Sequence, residues 1–157
     1  MNENELFMNQ AIKIASDNIH TGNGGPFGAI IVKNGKVIGR GANSVTSNND
    51  PTAHAEVMAI RDACKNLQSF QLDDCELYTS CEPCPMCLGA IYWARPKRIY
   101  YAATREMAAE AGFDDSYIYN QIPLPLHQRD IPTFGIQSSE AKAVFEEWIQ
   151  SENKVPY

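Results

Sequence analysis

Glu76-Leu77-Tyr78-Thr79-Ser80-Cys81-Glu82-Pro83-Cys84-Pro85-Met86-Cys87 is a strand-like run that meets two prolines and ends in a spaced pair of cysteines. Proline has no amide to give a sheet, so the strand over 76–80 must end before Pro83, and the chain turns as it reaches Cys84. Met86 to Ala94 then reads as a helix stopped before Pro96. A strand that turns sharply into a helix puts both cysteines at a helix start. Unpaired N–H groups and the helix dipole there favour the thiolate, the form that binds a metal. The i, i+3 spacing brings both sulfurs to one face.

Upstream, Asp50-Pro51-Thr52 marks entry into a second helix with apolar periodicity through Ala55, Ala59 and Ala63. His54 and Glu56 fall in its first turn. His54, Cys84 and Cys87 make a three-ligand set, one short of the closed tetrahedron of a structural zinc, which is the pattern of a catalytic zinc with one position open for water. Bound zinc brings the pKa of that water to about 7. Glu56, two positions from a ligand, is the proton carrier that hydrolytic deamination of an amidine-like carbon needs. Cys81, Cys84 and Cys87 also resemble the start of an iron–sulfur run, but the position that should hold the next cysteine is Ile91, which excludes that reading. Cys81 is left as a small wall residue or a fourth zinc ligand.

Before these motifs, the apolar positions Phe7, Ala11, Ile14, Ala15 and Ile19 recur at helical spacing over 5–19, and Gly22 to Gly25 close that helix. Residues 27–32 read as a buried strand, Asn34-Gly35 as a tight hairpin turn, and 36–41 as the returning strand. Asn43 to Asp50 is a polar loop. Beyond Cys87 the pattern predicts a strand over 98–102, short helices near 108–112 and 115–122, a proline-rich connection over 123–132, and a last helix over 139–153 capped by Ser138 or Ser139. A hairpin followed by alternating helices and strands indicates a mixed sheet with helices on both faces, a three-layer α/β/α fold.

At 157 residues the chain suits one domain. No apolar run approaches the roughly 18 to 20 residues of a membrane span, and the polar, acidic start is unlike a signal peptide. Five cysteines, three of them within seven residues, suit metal binding in a reducing cytoplasm better than a disulfide framework. Cys64 and Cys75 read as packing residues. A net charge of −6 argues against stable binding to nucleic acid and favours a small-molecule substrate.

Gly24-Gly25-Pro26-Phe27-Gly28-Ala29, the 48–56 segment ending in His54-Ala55-Glu56, the 78–94 segment around Pro83-Cys84-Pro85-Met86-Cys87, Glu110-Ala111-Gly112-Phe113-Asp114-Asp115 and a terminal tyrosine together resemble the small zinc-binding bacterial guanine deaminases of the cytidine deaminase superfamily. The resemblance implies a cytidine-deaminase-like fold with a five-stranded sheet, one zinc per subunit, and a homodimer whose C-terminal segments are exchanged. It also implies a purine base as substrate, with Phe27 stacking on it, Asn43 bonding its edge, and Ala55, Trp93 and Tyr157 lining the pocket. Asp115 is implied to assist at the amino group, although spacing alone does not separate it from Asp114. The core motif is shared with tRNA adenosine deaminases, which stay open as an alternative. A non-catalytic zinc-binding interaction module is the alternative from a different class.

Overall fold

The computed structural model describes residues 2–157, and two compact units, 1–115 and 116–157, divide the chain. The first unit opens with helix α1 (Glu3–Ile19), where Asn2 and Glu5 form a reciprocal capping box. Strands β1 (Gly28–Lys33) and β2 (Lys36–Ala42) follow as an antiparallel hairpin. Asn34 and Gly35 both adopt positive φ at its turn, which explains that dipeptide. A short helix α2 (Val45–Asn48) lies in the polar loop, where no helix was expected because four residues carry no periodicity. Helix α3 (Ala55–Leu67), strand β3 (Cys75–Cys81), helix α4 (Pro85–Ala94), strand β4 (Arg98–Ala103) and helix α5 (Arg105–Glu110) complete this unit.

The sheet order is β2-β1-β3-β4, antiparallel except for the parallel pair β3 and β4. It has four strands among the described residues, not the five expected. Where a fifth would follow β4, the chain forms α5 and then the short helix α6 (Ser116–Gln121) and a 3-10 turn at Leu126–Gln128. Pro123, Pro125 and Pro132 withhold amide donors from that stretch, which is why it joins no ladder.

Strand alternation sorts the core into two layers. Ile30, Val32 and Tyr78 meet Phe7 and Ala11 of α1 on one face. Ala29, Ile31 and Leu77 meet Ala55, Ala59 and Ala63 of α3 and Ile91 and Ala94 of α4 on the other. Cys75 is buried in this second layer and Cys64 packs against it, as expected for structural thiols. The α/β/α layering is therefore as the sequence indicates.

In the second unit, helix α7 (Ser139–Gln150) starts at Ser138, whose side chain accepts the Ala141 N–H. No residue of 116–157 is buried. Val144, Phe145, Trp148 and Ile149 stand exposed on α7.

Close approach of α3 to β2 sets the position of the later motifs. A Cβ at Gly39 would lie 2.6 Å from the Ala59 carbonyl oxygen and 2.6 Å from the Ala63 Cβ. Gly39→Ala should therefore push α3 off the sheet and destabilise the protein by about 1–3 kcal/mol. Urea denaturation of zinc-loaded protein checks this, and an unchanged midpoint would show that the contact is slack.

Candidate active site

Two helix starts converge. His54 is the N-cap of α3 and Cys84 the N-cap of α4, with Pro85 in the first turn of α4. The His54 ring makes no capping bond, and its Nδ1 lies 3.5 Å from the Cys84 sulfur and 3.5 Å from the Cys87 sulfur. Tetrahedral zinc bonded to a sulfur and an imidazole nitrogen sets those two atoms about 3.6 Å apart. Geometry and donor chemistry thus both fit zinc held by His54, Cys84 and Cys87, and these are the only three residues so grouped among the described ones.

The ligands are unequal before a metal is added. A hydrogen bond from Cys87 brings the Cys84 thiol down to about 4, despite partial burial. Cys87 is correspondingly pushed up, by its bond to Cys84 and then by burial. His54 is raised, chiefly by its hydrogen bond with Cys84. The site therefore favours a thiolate at Cys84 and a retained proton at Cys87.

Glu56, in the first turn of α3, is buried, and one carboxylate oxygen lies 3.4 Å from the Cys87 sulfur. Burial pushes its carboxyl up, as suits a group that takes and returns a proton. Its other oxygen lies 3.2 Å from the Thr79 hydroxyl, whose one proton is shared with the Cys81 carbonyl at 3.0 Å. Thr79 was not anticipated: in a strand, threonine reads as an ordinary β-former, and only its place on the α3 face of β3 reveals the contact. Cys81 stands outside the ligand group. Its sulfur points to the Thr104 carbonyl at 3.7 Å, and burial raises its thiol to about 11. It is a wall residue.

Phe27, Asn43 and the start of α3 are joined through the backbone. The Asn43 N–H donates to the Phe27 carbonyl at 3.1 Å, and the Ser44 N–H donates to the Ala53 carbonyl, one residue before His54, at 2.9 Å. Asn43 Oδ1 accepts two backbone N–H groups, from Gly25 at 3.1 Å and Val45 at 3.2 Å. Its amide is thereby fixed with Nδ2 as the outward group. Among the described residues no acceptor meets Nδ2, and it is not sealed from solvent. The side chain presents donors only.

Phe27 packs against the core and meets Phe113 edge to face, ring centroids 4.9 Å apart. Both rings line a cleft of 380 Å³ that also contains Cys81 and Met107. Ala55 is wholly buried and has only main-chain atoms for a polar contact. Asp115 is half-buried, and burial together with the Cys84 charge pushes its carboxyl up, whereas Asp114 is exposed. Trp93 is exposed and joins Leu88, Gly89 and Tyr92 around a depression on α4. Six residues from Cys87 it lies on a different face of that helix, so this unit does not bring it to the ligand group. Tyr157 is the exposed last residue of the second unit.

The profile of the cytidine and deoxycytidylate deaminase zinc-binding region matches residues 1–103. The chain belongs to this family. It is 57% identical over 153 residues to the guanine deaminase of Bacillus subtilis, covering 98% of both chains. The crystal structure of a guanine deaminase from that organism superposes with a TM-score of 0.96 over 100% of this chain and 99% of that one. A tRNA-specific adenosine deaminase of Aquifex aeolicus is 42% identical over 99 residues, or 63% of this chain and 65% of its own length.

Metal uptake must displace the proton on Cys87 and competes with protonation of His54, because zinc binds thiolate and neutral imidazole. Apparent zinc affinity should rise about tenfold or more from pH 6 to pH 8. Competition with a chromophoric chelator measures it, and a flat profile would contradict the proton placement.

Proposed function

We propose that the protein is a guanine aminohydrolase: guanine and water give xanthine and ammonia. The observation that carries this reading is the end-to-end likeness to the Bacillus subtilis guanine deaminase, which extends through the second unit, together with a metal-binding triad that has Glu56 at its side. The tRNA deaminase likeness is confined to part of the chain.

His54, Cys84 and Cys87 would hold the zinc, which when bound would supply a water acidic enough for attack at C2 near neutral pH. Glu56 would carry one proton of that water to N3, where it stays, and the second, from the hydroxyl then on C2, to the amino nitrogen, which leaves as ammonia as the C2 carbonyl forms. Thr79 holds the carboxylate in one orientation during both transfers. Asp115, whose carboxyl its surroundings push up, assists at the amino group. Phe27 stacks on the purine and the Ala55 main chain borders it. Asn43 donates through Nδ2 to the edge where guanine carries its acceptors, O6 and N7. A 6-amino group in that place would set donor against donor.

The tRNA adenosine reading is weakened by charge. Lys97 and Arg98, which with Arg95 form the basic cluster of the sequence, lie 3.7 Å and 3.0 Å from Glu76. The interaction-module alternative leaves Glu56 and its support from Thr79 without a role.

The assembly belongs to the same proposal. Exposed apolar side chains on α7, and Tyr92 and Trp93 on α4, suit a homodimer with one zinc per subunit, exchanged C-terminal segments and a partner surface over Trp93. Five free cysteines suit the cytoplasm. No helix among the described residues is long and apolar enough to cross a membrane.

Ammonia release from a panel of guanine, guanosine, adenine, cytosine and tRNA should be confined to, or fastest with, guanine. Glu56→Gln should lower its turnover about 10²- to 10⁴-fold with zinc content unchanged. Turnover of cytosine or tRNA adenosine in place of guanine would reverse the assignment. Deleting Tyr157 should lower turnover without emptying the metal site, as metal analysis alongside kinetics shows. Full activity after the deletion would remove Tyr157 from the pocket.

A further inference from the structure

Asn18 is the one polar residue buried on α1, on the stripe that begins with Phe7, Ala11 and Ala15. A buried amide must be fully bonded to be tolerated, and this one is. Its Nδ2 donates to the Gly25 carbonyl at 2.8 Å and to the Asn43 carbonyl at 2.9 Å. Two carbonyl acceptors at Nδ2 fix the amide orientation, and Oδ1 lies 3.1 Å from the Thr21 hydroxyl, whose one proton is shared with the Asn18 carbonyl at 2.9 Å. The Gly25 peptide is thus held on both sides, its carbonyl by Asn18 and its N–H by Asn43 Oδ1. Gly24 packs directly against Asn43, and an added Cβ would collide with both Asn43 oxygens.

We infer that Asn18 is a specificity-positioning residue: by clamping Gly25 and the Asn43 backbone together, it forces the Asn43 amide to show only donors to the base. The inference rests on the reading of Asn43 as a residue that contacts the base. Asn18 touches no substrate and acts through Asn43. Without its two bonds, Gly25 is no longer pinned to α1, the N–H it gives to Asn43 Oδ1 drifts, and the amide, left with the Val45 N–H alone, turns more easily. A freely turning amide accepts as readily as it donates, so selection for a base with acceptors on that edge relaxes. A residue that only stabilised the fold would lower activity on every base alike.

The test measures kcat/KM for ammonia release by full-length, zinc-loaded protein on guanine, on 2-aminopurine, which lacks the 6-keto oxygen, and on 7-deazaguanine, which lacks N7. Asn18→Ala should lower the value for guanine about tenfold or more, while the analogue without the acceptor that Asn43 reads loses less than about threefold. Asn43→Ala should reorder the bases in the same way, and the double variant should be no worse than Asn43→Ala alone, because both changes remove one device. Gly24→Ala disturbs the same amide from the other side without opening the core. It should give the same reordering, and it carries the test if Asn18→Ala does not fold. Equal losses on all three bases, or additive losses in the double variant, would overturn the inference. If Asn43→Ala shifts the order and neither Asn18→Ala nor Gly24→Ala does, the inference alone falls. If Asn43→Ala leaves the order unchanged, the reading of Asn43 falls and takes the inference with it.

Discussion

Helix α3 can carry its ligand and its acid to the metal because it lies almost on the backbone of β2. Alanines at 55, 59 and 63 face glycines at 39 and 41, and no side chain separates the two elements. Packing at this distance leaves little play along the helix axis, and His54 and Glu56 sit at its very start. Larger residues on either side would displace both groups relative to the cysteines of α4. Small residues here determine the geometry of a reaction in which they take no part.

The opposite side of the site is set by electrostatics. Two helix N-termini aim their partial positive charge at one small volume, which stabilises a thiolate and, with it, a divalent cation. The same volume is poor in water, so Glu56 holds its proton more tightly than an exposed glutamate. One arrangement therefore favours metal binding at one atom and proton storage at the next. Before metal uptake the Cys87 thiol faces one oxygen of that carboxylate and the Thr79 hydroxyl the other.

Much of this was legible in the residues because metal chemistry tolerates few substitutes and imposes spacing. His54, Glu56, Cys84 and Cys87 could be assigned without a fold, and Asn34-Gly35 placed the hairpin because few dipeptides accept that turn. Asn18 and Thr79 were not legible in the same way. Asparagine near a helix end reads as surface, although its place on the stripe of Phe7 and Ala11 was a usable sign. Threonine in a strand is simply common. The fifth strand and Trp93 in the pocket came from family likeness, and each concerns surfaces that periodicity within one chain does not determine. Asp114 and Asp115 differ in exposure, which spacing in the sequence does not show.

The 42 residues that follow Asp115 contribute nothing to the interior, since none is buried. Changes there leave the core of 1–115 untouched and would act on the assembly proposed for α7. Whatever share that segment has in choosing the base can drift under selection while the hydrolytic apparatus stays intact. Relatives that align with only the earlier part of the chain fit such a history, in which new substrates are acquired by rewriting the periphery.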